Sequence, residues 1–74
     1  MGEKIKALIV EDNAFMAEVF YDMLQAHAHE ISVLGIAPTG KSALELIKAE
    51  KPDVVFLDIE LPDMTGFSLL SQLT

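Results

Sequence analysis

Two short apolar runs in this chain each stop on carboxylates. Ala7-Leu8-Ile9-Val10 runs into Glu11-Asp12, and Val54-Val55-Phe56-Leu57 runs into Asp58. Runs this short, bounded by turn-forming residues and containing Ile and Val, read as strands buried on both faces, which is the habit of parallel sheets. In a parallel sheet, strand ends of one kind lie along one edge. Glu11, Asp12 and Asp58 are therefore expected to converge although they are far apart in sequence. Clustered carboxylates repel unless protons or a cation neutralise them, so the pattern predicts a hard divalent metal. One of the carboxylates is also a candidate nucleophile.

The segments around these runs alternate between the two periodicities. The first strand is expected at about 6–10, and Asn13 is a plausible N-cap for a helix after it. Phe15, Met16, Val19, Phe20, Met23 and Leu24 recur at helical spacing, opposite Glu18, Asp22 and Gln25, which predicts a helix over about 14–27. Met16 and Met23 are expected in the core, with Tyr21 and Asp22 on the solvated side. A second, weaker strand over about 31–36 is interrupted by Ser32 and Gly35 and reads as an edge. Pro38-Thr39-Gly40 marks a loop. Residues 42–50 form a short amphipathic helix with Ala43, Leu44 and Ile47 on one face, stopped by Pro52. A third strand comes next at about 53–57, then a loop from Pro62 to Gly66, and a helix over about 67–74 that begins with Phe67, Leu70 and Leu73. The order β-α-β-α-β-α with short connections specifies an α/β fold with a parallel sheet.

Length and charge narrow the function. A chain of 74 residues holds one domain at most, and it buries only roughly 60% of its unfolded surface. There is no cysteine, which excludes disulfides and thiolate metal sites. With 12 acidic and 5 basic side chains and a formal charge of −7, nucleic acid is excluded as a direct partner, because phosphate binding needs Lys and Arg. The apolar runs fall far short of the roughly 20 residues that span a bilayer, and Met1-Gly2-Glu3-Lys4 opens no stretch of signal-peptide length. Gly2 invites a myristoylation reading, which Lys6 in the place of Ser or Thr rejects. The expectation is a soluble cytoplasmic protein with no membrane partner.

Leu8-Ile9-Val10-Glu11-Asp12-Asn13, the positions Ala37, Gly40, Ala43, Leu44 and Leu46, the segment Pro52-Asp53-Val54-Val55-Phe56-Leu57-Asp58 and the loop Leu61-Pro62-Asp63-Met64-Thr65-Gly66 together resemble the receiver domain of bacterial two-component response regulators. The last two segments are the specific ones. The resemblance implies a partial doubly wound sheet of strand order 2-1-3, holding about three of the family's five strand-helix units. It implies that Asp58 accepts a phosphoryl group from a histidine kinase or phosphotransfer protein. It further implies that Asp12 and Asp58 ligate Mg²⁺ with the backbone carbonyl of Glu60, and that Glu11 acts through water. Mg²⁺ prefers octahedral oxygen ligands, with few carboxylates plus waters and phosphate oxygens. Phosphoryl transfer is mostly positioning and charge stabilisation. The family's later hydroxyl, lysine and aromatic switch residues have no counterparts here. Lys4, Lys6, Lys41, Lys48 and Lys51 all fall before the first strand or in and beside the second helix. The resulting expectation is a phosphoacceptor module that is not an enzyme and whose phosphorylation is impaired.

Other readings stand beside this one. The carboxylates can be plain helix-capping loop residues, in a structural or interaction fragment without phosphotransfer. Gly35-Ile36-Ala37-Pro38-Thr39-Gly40-Lys41-Ser42 fits the P-loop pattern G-x-x-x-x-G-K-[ST], with Asp58 as its metal-holding residue. Asp58-x-Glu60 partly resembles the acidic pairs of Toprim and haloacid-dehalogenase folds, in the wrong residue type or the wrong place. His27 and His29 are expected to serve the end of the first helix, and Met64 to pack its loop onto the body. Finally, an uncovered third strand predicts a homo-oligomer paired through that edge.

Overall fold

The computed structural model describes residues 3–73. Its elements are β1 (Ile5–Val10), α1 (Ala14–Gln25), β2 (Ile31–Ala37), α2 (Gly40–Glu50), β3 (Val54–Leu57) and α3 (Gly66–Leu73). Gly2, where lipidation was considered, and Thr74, placed at the end of the last helix, lie outside the described residues.

The three strands form one parallel sheet in the order β2-β1-β3. β1 is central, and Ala7, Leu8, Ile9 and Val10 are all buried, as its unbroken apolar run demands. Its side chains alternate between two cores. Leu8 and Val10 meet Ala37, Ala43 and Leu69, with Val55, Leu57 and Met64 around them, under α2 and α3. Ala7 and Ile9 meet Leu24, with Phe20, Ile31 and Val33, under α1. Helices on both faces of a parallel sheet define the doubly wound arrangement. Between β1 and β2 the register slips by one residue: Ala7 pairs with Val33 but Leu8 with Gly35. The extra residue is a β-bulge near an edge, a common place for one.

Two side-chain expectations need correction. β3 is not buried on both faces. Val55 and Leu57 turn into the core, but Val54 and Phe56 stay 40% and 37% exposed. The reason is the path of α1, which packs over β1 and β2 and leaves that face of β3 open. Nor are Met16 and Met23 core residues: both are exposed, Met23 by 60%, and Phe15 by 72%. α1 docks instead through Ala17, Phe20 and Leu24, a narrower arc of the same helix. His27 and His29 follow the last helical residue, Gln25; the His27 N–H donates to Leu24 O in the last turn of α1 at 2.9 Å, and its carbonyl accepts from Glu30 and Ile31 in the turn that enters β2.

Candidate functional site

Backbone hydrogen bonds carry the acidic residues to one edge of the sheet. The Glu11 N–H donates to Ala37 O at 3.0 Å, and the Asp58 N–H donates to Val10 O at 3.0 Å. The parallel ladder thus continues one residue past each strand, and Glu11 and Asp58 come directly after the paired residues Val10 and Leu57. The chain then turns into α1. Asn13 caps that helix, its Oδ1 accepting from the Met16 N–H at 3.0 Å, and its own N–H donates to Glu11 Oε2 at 3.1 Å. Asp12 is held between these two anchored residues.

As a result, carboxylate oxygens of Glu11, Asp12 and Asp58 all lie within 4.8 Å of one another. The sequence expected these three to meet, and they do. Burial, followed by the nearby Asp58 and Asp12 charges, pushes the Glu11 carboxyl above its ordinary range, against an opposing hydrogen bond from the Asn13 backbone. An all-oxygen set with this spacing fits a hard divalent cation, whose six-fold shell takes carboxylates, carbonyls and water.

The loop after β3 contributes backbone atoms. Glu60 faces Thr65 in an isolated antiparallel bridge. The bridge's bonds run from the Gly66 N–H to Ile59 O and from the Leu61 N–H to Met64 O. Those partners flank Glu60, so its own N–H and C=O lie on the opposite edge, as in a non-hydrogen-bonded pair. Its N–H is 3.4 Å from Asp58 Oδ1. In an extended residue the N–H and C=O point to the same side, so the Glu60 carbonyl faces the side of the acidic cluster. Gly66 closes the loop. A Cβ there would stand 2.6 Å from the Asp58 carbonyl oxygen and 3.2 Å from Ile59 Cα, so only glycine fits this approach.

Beside the cluster opens a cavity of about 360 Å³ lined by Val10, Glu11, Phe20, Phe56, Leu57, Asp58 and Ile59. The two phenylalanines come from different elements, and only the tertiary structure makes them neighbours. Phe20 was legible as an apolar-face residue, and Phe56 as a strand residue, but neither as part of a site.

The P-loop reading fails on hydrogen bonding. Such a site needs free N–H groups at the start of α2. All four are committed: Thr39 N–H to Ser42 Oγ, Gly40 and Lys41 N–H to the Asp63 carboxylate, and Ser42 N–H to Thr39 Oγ1. Gly35 and Ile36 moreover belong to β2, not to a phosphate-cradling loop. The Asp63 contacts were not foreseen from sequence, because they join residues 22 and 23 positions apart.

Comparison with known proteins agrees with this geometry. The family model described as response regulator receiver domain matches residues 7–74. A protein-glutamate methylesterase/protein-glutamine glutaminase of Pyrococcus horikoshii is 44% identical over 70 residues, covering 95% of this chain and 19% of that protein. A protein of the same name from Geobacillus kaustophilus is 45% identical over 69 residues, covering 93% and 20%. The chain thus spans about a fifth of the curated relatives it matches. The response regulator domain of Thermotoga maritima CheB superposes with a TM-score of 0.89 at 35% identity, covering 96% of this chain and 52% of that one. The receiver domain of the putative response regulator NarL from Mycobacterium tuberculosis gives 0.90 at 33%, covering 97% and 57%. The relatives' names correct one expectation. A chain that is not an enzyme was expected, yet the curated relatives are named as enzymes, with this chain matching their receiver part. Parallel strands in the order 2-1-3, an acidic cluster at their C-terminal edge and a receiver-family match over nearly the whole length lead to one conclusion: the chain belongs to the response regulator receiver domain family.

Proposed function

We propose that this chain is a Mg²⁺-dependent phosphoacceptor, with Asp58 as the residue modified. The observation that carries the reading is the convergence of Glu11, Asp12 and Asp58 within 4.8 Å. Asp12 and Asp58 would hold the cation directly with the Glu60 carbonyl, and Glu11 through water. Bound there, Mg²⁺ would offset the repulsion between the Asp58 carboxylate and an incoming phosphoryl group. One Asp58 oxygen attacks phosphorus and forms the acyl phosphate. The P–N bond of a kinase phosphohistidine breaks, and its electron pair leaves with the imidazole nitrogen. The Glu60 N–H, beside Asp58 Oδ1, orients the carboxylate. Among the described residues no lysine lines the cavity at Asp58, so transfer on these residues alone is expected to be slow. A cytoplasmic setting and a histidine kinase or phosphotransfer partner accord with the family. The names of the relatives support a wider reading, in which this receiver serves a protein-glutamate methylesterase.

Incubation with acetyl phosphate and Mg²⁺, followed by intact mass, tests the proposal. Wild type should gain one phosphoryl group, and Asp58→Asn or chelation should abolish the gain. A wild type that stays unmodified, by acetyl phosphate and by kinase alike, leaves the interaction fragment as the better reading. The wider reading predicts methanol release from methyl-esterified glutamate by the full-length gene product, and a protein inert in that assay would remove it.

The open β3 edge supports a further reading, in which two copies pair there. An uncovered strand edge is a template for another chain, and Val54 and Phe56 offer it apolar surface. A two-fold contact would make the β3 pair antiparallel. Sedimentation at micromolar concentration should show a dimer that Val54→Lys converts to monomer. A wild-type monomer rejects association, and a dimer indifferent to Val54→Lys rejects this interface.

A further inference from the structure

We infer that Asp63 is a positioning residue for the acidic site, holding the loop of Asp58 and Glu60 in place by anchoring its far end to the start of α2. The inference rests on the phosphoacceptor reading above and adds a residue to it.

The loop from Asp58 to Gly66 has to present two groups to one point, the Asp58 carboxylate and the Glu60 backbone. Its near end is tied to the sheet through the Asp58 N–H to Val10 O. Inside the loop, the bonds from Leu61 N–H to Met64 O and from Gly66 N–H to Ile59 O close a narrow turn. Those bonds shape the turn but attach it to nothing else. Leu61 and Met64 pack against the core under α2 and α3, and the hydrogen-bonded attachment to α2 comes from Asp63 at the tip. Asp63 Oδ1 accepts from Gly40 N–H at 2.7 Å, and Asp63 Oδ2 from Lys41 N–H at 3.0 Å. Met64 lies across Gly40, where a Cβ would collide with its Cγ and Sδ.

Both Asp63 oxygens are engaged, so the pair of bonds fixes the orientation of the carboxylate as well as its position. Charged acceptors make the stronger hydrogen bonds, and the positive end of α2 favours the anion. The helix itself is seated by Ala43 in the core. Asp63 thereby transmits the position of a rigid element to a loop that carries site atoms. It touches neither a metal position nor the reacting oxygen of Asp58, so its effect is on placement. A further consequence is electrostatic. Asp63 spends its charge on the helix, away from the three carboxylates that already repel one another.

A mere cap would stabilise α2 and do nothing for the loop. Thr39 supplies the comparison, because its Oγ1 caps the same helix end through the Ser42 N–H and makes no bond to the loop. The experiment compares wild type, Asp63→Ala, Asp63→Asn and Thr39→Ala, each checked for folding by circular dichroism. Two quantities are read: Mg²⁺ affinity by calorimetry, and hydrogen exchange at the Leu61 and Gly66 amides. Loss of an outer group that orients metal ligands weakens affinity about tenfold or more. Asp63→Ala should weaken Mg²⁺ by about that factor and speed exchange at both amides at least tenfold. Asp63→Asn, which keeps one acceptor oxygen, should fall between. Thr39→Ala should lower stability yet leave the affinity within about twofold and both amides as protected as in wild type. If Asp63→Ala and Thr39→Ala behave alike in both readouts, Asp63 is only a cap and the inference is overturned. If wild type binds no Mg²⁺, the phosphoacceptor reading fails, and the site role fails with it. Unchanged amide exchange in Asp63→Ala sinks the anchoring separately.

Discussion

Millimolar Mg²⁺ is expected to raise the thermal unfolding midpoint of this protein, and Asp58→Asn and Asp12→Asn should each erase most of the rise. A ligand that binds only the native state stabilises it by mass action, by about 2.7 kcal/mol at 100 times its Kd. For a domain of this size that is on the order of 10–20 °C. The apo cluster leaves room for such an effect. Burial and the nearby Asp58 and Asp12 charges hold the Glu11 carboxyl above its ordinary range. A carboxyl raised in the folded state contributes stability that is fully present below its unfolded value, about 4.3. That contribution is lost as pH rises through the folded value. At neutral pH without metal, Glu11 therefore opposes folding. Glu11→Gln should raise the apo midpoint at pH 7, leave it nearly unchanged at pH 3, and shrink the Mg²⁺ increment. Asp63 has the opposite sign. The Gly40 and Lys41 N–H groups lower its carboxyl, so its support is present above about pH 3.9 and fades as pH falls through the folded value. Differential scanning fluorimetry across pH, with and without Mg²⁺, reads both. A wild type whose midpoint ignores Mg²⁺ would mean that the carboxylates form no metal site.

Leu69→Ala should be the most damaging single truncation in α3. Leu69 is fully buried against Leu8, Val10, Ala37 and Ala43, and it is the large side chain by which α3 enters the core. Buried Leu→Ala changes cost about 2–5 kcal/mol, from lost transfer energy plus the cavity left behind. A chain of this length is expected to have on the order of 4–11 kcal/mol in total, so the loss consumes a large share. Its neighbour Leu70 is half exposed, and Leu70→Ala should cost less than about 1 kcal/mol. Urea unfolding of the two variants makes the comparison. Equal midpoints would show that α3 is not docked through Leu69. α3 begins at Gly66, which presses on the Asp58 carbonyl, so undocking the helix should also weaken Mg²⁺ binding.

Much of this was written locally in the chain. The four-residue run Ala7 to Val10 can satisfy its apolar side chains only if covered on both sides, and β1 is the central strand. Asn13 is a short polar side chain ahead of a helical pattern, and it caps α1. Strand ends that finish in carboxylates bring those carboxylates together once the strands are parallel, which is why Glu11, Asp12 and Asp58 could be named from the chain alone. Local pattern failed where neighbours from elsewhere in the chain decide burial. Val54-Val55-Phe56-Leu57 is as apolar as the run in β1, but at the sheet edge α1, packed over β1 and β2, leaves its Val54 and Phe56 partly exposed. The apolar arc of α1 is wider than its contact with the sheet. Periodicity could not tell that Ala17 would be buried while Phe15 and Met23 stay exposed. The sequence by itself determined the alternation of elements, the parallel sheet and the acidic triad, because these depend on side-chain period, caps and strand direction. Only the tertiary structure decided which face of β3 stays open, that Phe20 and Phe56 line one cavity beside Asp58, and that Asp63 occupies the start of α2. Those depend on where helices cross the sheet and how loops fold back, and no short window of residues encodes a contact across 23 positions.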